Sequence, residues 1–134
     1  MRILITGASG LVGLNTALET ADQHTVFGQV NSNAIHTQAF TVLKANLVEP
    51  GAVERLLDQT QPNWVIHCAA LANLEACENN PELAWELNTE VPRKLAEACQ
   101  KGGARLLHVS TDAVFDGQTG GYSEADQPNP LGTY

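Results

Sequence analysis

Residues 6–13 read Thr-Gly-Ala-Ser-Gly-Leu-Val-Gly, and they directly follow the apolar run Met1-Arg2-Ile3-Leu4-Ile5. Since an amphipathic stretch comes next, this order predicts a strand, a glycine-rich turn and then a helix. Gly7 permits the tight turn, Gly10 lets the backbone approach a ligand, and Gly13 lets the helix pack closely on the strand. The amides and the positive dipole end of that helix then face an anion, as a pyrophosphate requires. A plain structural turn is the alternative interpretation of these glycines.

The composition indicates one globular domain over residues 1–134, with 43% hydrophobic and 16% charged residues. No apolar stretch approaches the roughly 20 residues that a membrane span needs, and no secretion signal precedes the first strand, so we expect no membrane association. Seven Lys and Arg against 15 Asp and Glu give a net charge of −8, which argues against a nucleic-acid partner. Cys68, Cys77 and Cys99 lack metal-ligand spacing, and their odd number argues against a disulfide framework. We therefore expect a reducing cytoplasm and no metal site.

Strand and helix patterns alternate along the chain, which predicts right-handed β-α-β units and a parallel sheet covered on both faces. The expected fold is a doubly wound, Rossmann-type α/β domain with strand order 3-2-1-4-5. Pro92 lies inside the last helical pattern and removes the bond to the carbonyl of Asn88, so a kink is expected there. The predicted strands cover 1–5, 24–30, 39–43, 64–68 and 104–110, and the predicted helices cover 11–18, a stretch after Pro50, and 81–101.

Ligands of such sheets bind outside the carboxyl ends of the strands, near the point where the strand order reverses. The residues expected at that edge are the glycine loop, Cys68-Ala69-Ala70-Leu71 after the fourth strand, and Ser110 to Gly117 after the fifth. Small residues after the fourth strand allow a flat cofactor to pass close to the backbone. Packing of Ala69 and Ala70 against a helix explains the same residues equally well.

The glycine loop is spaced as Thr-Gly-x-x-Gly-x-x-Gly, and in this it resembles the extended short-chain dehydrogenases/reductases. The run Ser-Thr-Asp-Ala-Val-Phe-Asp-Gly at 110–117 resembles one branch of them, the dTDP-4-dehydrorhamnose reductases. The stretch from His67 to Glu82 and the closing stretch 124–134 are similar to the same branch. The resemblance covers the whole chain and implies reduction of a nucleotide-linked 4-keto-6-deoxy sugar in dTDP-rhamnose biosynthesis.

The resemblance also implies catalytic roles. Thr111 hydrogen-bonds the substrate carbonyl, and Tyr134 protonates its oxygen as hydride arrives from the nicotinamide. In the family a lysine four residues beyond the tyrosine lowers the phenol's pKa, but this sequence ends at Tyr134. We therefore expect residues 1–134 to be the cofactor-binding part of a longer protein, without its C-terminal substrate part, and to be inactive alone.

The expected cofactor is NADPH or NADH. No acidic or basic residue stands just after the second strand, where such a residue usually discriminates between the two. NADPH is favoured because no carboxylate repels its extra phosphate; Asn31 or Asn33 accepts the ribose, and Asn46-Leu47 lies against the adenine. The expected cofactor-binding residues are Gly7, Ser9, Gly10, Leu11, Val12, Gly13, Asn31, Asn46, Leu47, Cys68, Ala69, Ala70, Leu71, Asn88 and Ser110.

Two other functions fit the same residues. One is a nucleotide-sugar epimerase or dehydratase that uses the same tyrosine chemistry. The other is a noncatalytic dinucleotide-binding subunit, because the chain also resembles the regulatory β subunit of methionine adenosyltransferase. Ala113 stands where the reductase branch commonly has Tyr, which affects substrate preference. The expected partner is a dTDP-sugar or a similar nucleotide sugar, with a homodimer as a further expectation.

Overall fold

The computed structural model describes all residues from Met1 to Tyr134 and contains one five-stranded parallel sheet in the order β3-β2-β1-β4-β5. The predicted doubly wound fold and its strand order are therefore confirmed. The first strand pairs with both β2 and β4, so the strand order reverses at β1. The strands are β1 (Arg2–Thr6), β2 (Thr25–Val30), β3 (Thr41–Lys44), β4 (Trp64–His67) and β5 (Arg105–His108).

The helices connect these strands and cover both faces of the sheet. None of them has the length or the apolar character to cross a membrane. They are α1 (Leu11–Ala21), α2 (Ala52–Thr60), α3 (Leu74–Asn79), α4 (Pro81–Trp85), a π turn (Glu86–Glu90), α5 (Val91–Gly102) and a 3₁₀ turn (Asp112–Val114).

Alternation along β1 divides the core into two apolar layers. Leu4 faces a layer built from α2 and α5, with Val53, Leu56, Leu57, Val91, Leu95 and Cys99 among its members. Ile3 and Ile5 face the opposite layer, which includes Ala17 of α1. Since β1 is buried on both faces, its apolar run is continuous, as expected for a central parallel strand.

Three elements differ from the sequence-based expectation. The third strand starts at Thr41, two residues later than predicted, and β5 covers only the middle of its predicted range. Helix α3 was not predicted, since its six residues are too few to show a helical period. Its start is fixed instead by Asn73, whose side-chain oxygen accepts the Ala76 N–H at 2.8 Å and so caps the first turn.

Pro92 is accommodated by the π turn that directly precedes it. In this wider turn the Val91 N–H bonds to the carbonyl of Glu86, five residues earlier. The expected disturbance near Pro92 is thus a local widening of the helix, upstream of the proline. This turn carries Asn88, whose side chain reaches the loop after β4.

Candidate functional site

A cleft of about 280 Å³ lies at the carboxyl edge of the sheet, over the strand-order reversal at β1. The connections after β1, β2, β3 and β4 all contribute to it, and Leu87 of the π turn closes one side. None of its lining residues is charged. They are Gly7, Ser9, Gly10, Gln29, Asn31, Ser32, Asn33, Asn46, Leu47, Cys68, Ala69, Ala70 and Leu87.

Nine of the expected cofactor residues line this cleft together: Gly7, Ser9, Gly10, Asn31, Asn46, Leu47, Cys68, Ala69 and Ala70. The structure places the others around the cleft. Leu11, Val12 and Gly13 form the first turn of α1, Leu71 and Asn88 contact each other behind the wall, and Ser110 is exposed beyond β5.

Two glycines allow the loop after β1 to pack as tightly as it does. Gly7 has a φ of +67°, and a Cβ placed on it would lie 2.7 Å from the Ala69 backbone. A Cβ on Gly13 would lie 2.4 Å from the Gly7 carbonyl oxygen. The loop therefore packs closely between the start of α1 and the chain after β4, and a ligand has room on the side of the loop that lines the cleft.

Some backbone N–H groups of this loop are hydrogen-bonded within the protein, and others are free to bind a ligand. The Ala8 N–H bonds to the Gln29 carbonyl at 2.9 Å, and the Gly10 N–H bonds to the Gly7 carbonyl at 2.9 Å. The first-turn amides of a helix have no partner one turn earlier within it. The amides of Leu11, Val12 and Gly13, rather than those of Gly7 and Gly10, are thus the groups positioned to meet an anion.

Three residues of the cleft, Gln29, Ser32 and Leu87, were not predicted from the sequence, and of these Gln29 is the buried one. Its side chain is 2% exposed. Its Oε1 accepts the Gly7 N–H at 3.0 Å, and its Nε2 donates to the Ala45 carbonyl at 2.6 Å. The amide therefore ties the glycine loop to the end of β3. A buried polar residue at the end of a strand is the only signal that could have identified it.

Asn88 and Leu71 form two hydrogen bonds with each other next to the wall of the cleft. The Leu71 N–H donates to Asn88 Oδ1 at 2.9 Å, and Asn88 Nδ2 donates to the Leu71 carbonyl at 3.1 Å. Cys77 adds a third contact, as its Sγ donates to the same carbonyl at 3.1 Å. Asn88 thus holds the backbone that follows Ala69 and Ala70, instead of facing the cleft.

Two histidines lie side by side beneath the wall. The His67 ring is fully buried and stacks on His108 with ring centroids 5.0 Å apart. Thr6 Oγ1 accepts the Ala69 N–H at 3.4 Å and shares a buried hydrogen bond with His67 Nδ1. Burial and then the neighbouring His108 lower the pKa of His67 to about 4, so the ring is neutral at pH 7. Burial also raises the pKa of the Cys68 thiol, which keeps it protonated.

Thr111 begins the 3₁₀ turn after β5. Its Oγ1 accepts the Ala113 N–H at 3.1 Å, and its hydroxyl proton is directed at Asp112 Oδ1, 3.3 Å away. The second of these contacts is long, so the hydroxyl proton can be redirected to another acceptor without breaking the turn.

Asp116, a few residues further on, is occupied within its own loop. Its carboxylate accepts the Tyr122 hydroxyl, the Gln118 N–H at 3.0 Å and Asn129 Nδ2 at 2.9 Å. These bonds, the Tyr122 hydroxyl first among them, lower the pKa of Asp116 to about 2. Phe115 and Tyr122 stack with centroids 4.5 Å apart. The arrangement indicates that Asp116 organises the loop.

Tyr134 is half-buried, and the residue before it is held by α3 through Glu78. The structure gives the phenol no hydrogen-bond partner among the other side chains and does not place it in the wall of the cleft. Tyr134 and Thr111 therefore lie outside the cleft's lining, both on the segment that follows β5.

The sheet order and the glycine loop define the chain as a Rossmann-like domain. Residues 1–134 match the family model described as RmlD substrate binding domain, so the chain belongs to that family. The resemblance stated from the sequence motifs is thereby confirmed.

Curated relatives and solved structures agree with this assignment. The dTDP-4-dehydrorhamnose reductase of Mycobacterium tuberculosis (strain ATCC 25618 / H37Rv) is 35% identical, over 99% of this chain and 41% of its own length. Methionine adenosyltransferase 2 subunit beta of Bos taurus is 34% identical, over 99% of this chain and 39% of its own. The chain thus spans less than half the length of these relatives.

Among solved structures, a hypothetical dTDP-4-dehydrorhamnose reductase from Sulfolobus tokodaii matches with a TM-score of 0.92 and 35% identity, over 100% of this chain and 48% of that one. MoeE5, solved with UDP-glucose and NAD, matches with a TM-score of 0.86 and 26% identity, over 100% of this chain and 44% of that one. Structural neighbours of this chain therefore include a protein that binds a nicotinamide dinucleotide together with a nucleotide sugar.

Proposed function

We propose that the protein, at the full length of its relatives, is an NAD(P)H-dependent reductase of a nucleotide-linked 4-keto-6-deoxy sugar. Residues 1–134 are then its cofactor-binding part. The observation that carries the proposal is the uncharged cleft beside the first turn of α1, at the sheet edge where ligands of this fold bind. The 35% identical dTDP-4-dehydrorhamnose reductase supports the substrate class.

The cleft fits a dinucleotide in three parts. The amides of Leu11 and Val12 suit a pyrophosphate, since the positive end of the α1 dipole favours an anion there. The side chain of Asn31 suits the adenosine ribose, and Asn46 and Leu47 suit the adenine. Because no carboxylate lines this part of the cleft, nothing repels a 2′-phosphate, and NADPH is favoured over NADH.

The chain's own residues supply the proton and orient the carbonyl. When bound, the reduced nicotinamide supplies hydride to the carbonyl carbon of the sugar. Tyr134 donates its phenolic proton to the carbonyl oxygen, and Thr111 turns its hydroxyl from Asp112 to hydrogen-bond the same oxygen. A free tyrosine has a pKa near 10, so the phenol needs a nearby positive charge to act near neutral pH. The family resemblance implies that a lysine four residues beyond the tyrosine serves this purpose.

The test follows the loss of reduced-nicotinamide absorbance with dTDP-4-dehydrorhamnose, with NADPH and NADH in turn, in the protein at the full length of its relatives. Tyr134→Phe is expected to abolish turnover while cofactor binding persists. Tyr122→Phe, which removes the other phenol of this chain and its bond to Asp116, serves as the matched control and is expected to lower turnover far less than Tyr134→Phe. Substrate-independent oxidation, or equal turnover in Tyr134→Phe, would contradict the proposal.

A second candidate function is a noncatalytic, dinucleotide-binding subunit. It is favoured by the sequence identity of 34% to methionine adenosyltransferase 2 subunit beta, which is almost as high as the 35% identity to the reductase. Calorimetric binding of NADPH or NADH without turnover of dTDP-4-dehydrorhamnose would support this function. The remaining alternative, an epimerase, regenerates its NAD within each turnover, so it is detected by formation of the 4-epimer of UDP-glucose and not by a net change in nicotinamide absorbance.

A further inference from the structure

The stretch from Gln127 to Tyr134 has no helix or strand and is largely exposed, yet it is tied to the domain at two separate points. The first tie is Asn129. Its N–H donates to the Val114 carbonyl at 2.8 Å, and its Nδ2 donates to Asp116 Oδ2 at 2.9 Å. The stretch is thus anchored to the loop that follows β5.

The second tie is Glu78, on the helix that follows β4. Its Oε1 accepts the Thr133 N–H at 2.8 Å, across 55 residues of sequence. The same oxygen passes close to Gly132, where a Cβ would lie 3.4 Å from it. The backbone bond to Thr133 holds the pKa of the Glu78 carboxyl below its usual range, so the acceptor is a carboxylate at pH 7. Thr133 directly precedes Tyr134.

Helix α3 is in turn attached to the wall of the cofactor cleft. Cys77, the neighbour of Glu78, is fully buried and donates from Sγ to the Leu71 carbonyl at 3.1 Å. The Asn88 side chain holds both the N–H and the carbonyl of Leu71. An unbroken set of contacts therefore joins the backbone after Ala70 to the backbone before Tyr134.

We propose that Glu78 is a positioning residue for Tyr134. Its carboxylate fixes the peptide immediately before the tyrosine against α3, so the phenol keeps a constant position relative to the cleft wall. This role for the phenol rests on the proposed function, whereas the anchoring of residues 127–134 does not. The proposal needs an acceptor oxygen at residue 78 and no negative charge, which distinguishes it from a purely electrostatic effect on the phenol.

The test uses Glu78→Ala, Glu78→Gln and the control Glu82→Ala in the protein at the full length of its relatives. Glu82 is an exposed glutamate on α4, and the side-chain bond to the terminal stretch comes from Glu78 instead. Hydrogen exchange of the Thr133 amide is expected to rise by roughly five- to tenfold in Glu78→Ala, because its bond to the Glu78 oxygen is lost. The kcat is expected to fall by about 10- to 100-fold, since small misplacements of a reacting group are costly. The Kd for NADPH is expected to stay within about twofold, because Glu78 does not line the cleft.

The Glu78→Gln variant distinguishes a positioning role of Glu78 from an effect of its negative charge. Glu78→Gln is expected to restore both exchange protection and kcat, because its amide oxygen still accepts the Thr133 N–H. Unchanged exchange in Glu78→Ala, or equal effects in Glu82→Ala, would overturn the proposal. So would raised exchange with an unchanged kcat in an active enzyme. If the unmutated protein shows no turnover, the proposed function fails separately, and the exchange data alone decide whether Glu78 holds the stretch.

Discussion

Replacing Gln29 with methionine tests whether its amide holds the cleft together. The substitution keeps the length of the side chain and removes both hydrogen bonds, to the Gly7 N–H at 3.0 Å and to the Ala45 carbonyl at 2.6 Å. Gln29 itself is 2% exposed, so water cannot replace the lost partner easily. Each half-buried backbone group left unpaired costs about 1–2 kcal/mol, which gives about 2–4 kcal/mol in total. For a chain of 134 residues that is a decrease in Tm of about 8–16 °C.

The assay is thermal and guanidinium unfolding, with Gln100→Met, an exposed position on α5, as the matched control. Gln29→Glu adds a second measurement, because a carboxylate can accept the Gly7 N–H but can donate to Ala45 only when protonated. The folded-state pKa of that carboxyl is thus raised, so the variant is expected to be more stable at pH 5 than at pH 8. A Tm for Gln29→Met within about 2 °C of the control would refute the reasoning, as the expected shift is several times larger.

Two further predictions concern the same edge of the sheet. Gly13→Ala is expected to lower the free energy of unfolding by about 1–3 kcal/mol and to weaken dinucleotide binding at least tenfold, because the new Cβ would sit 2.4 Å from the backbone oxygen of Gly7. Gly102→Ala, which meets nothing within 4 Å, is the control, and equal losses in the two variants would show that the loop is not tightly packed. His67 has a folded-state pKa of about 4, so between about pH 6.5 and 4 the unfolded chain binds the extra proton and stability falls as the pH is lowered. In urea unfolding, the free energy of unfolding should change with pH by at most about 1.4 kcal/mol per pH unit, and His67→Asn should reduce this slope. An unchanged slope in the variant would contradict the lowered pKa of His67.

The sequence predicted the sheet order and most of the cleft because both depend on patterns of several residues. Glycine spacing marks the loop before α1, and continuous apolar runs mark the central strands. The backbone connections that line the cleft then follow from the order of the strands. Asn31, Asn46 and Ala69 could therefore be assigned to one edge without knowledge of any side-chain contact.

What the sequence did not predict depends on single side chains that bond over long distances. In the sequence, Gln29 is a single polar residue near the end of a strand, and its hydrogen bonds to Gly7 and Ala45 form only in the folded chain. Helix α3 depends on one capping residue, Asn73, and is too short to show a period. Asp116 is likewise held by three donors that lie up to 13 residues away along the chain, which no local pattern reveals.

The π turn at Glu86–Glu90 limits how the chain can change length during evolution. A residue gained or lost within the continuous helical stretch 81–102 turns everything beyond it by about 100° around the axis. A change before Asn88 would separate its side chain from Leu71, and a change after it would turn the buried side of α5 away from the core. Changes of length are therefore expected only at the ends of this stretch, at Asn80 and Gly103. The number of residues in this helical stretch is thus constrained by its contact with the wall of the cleft.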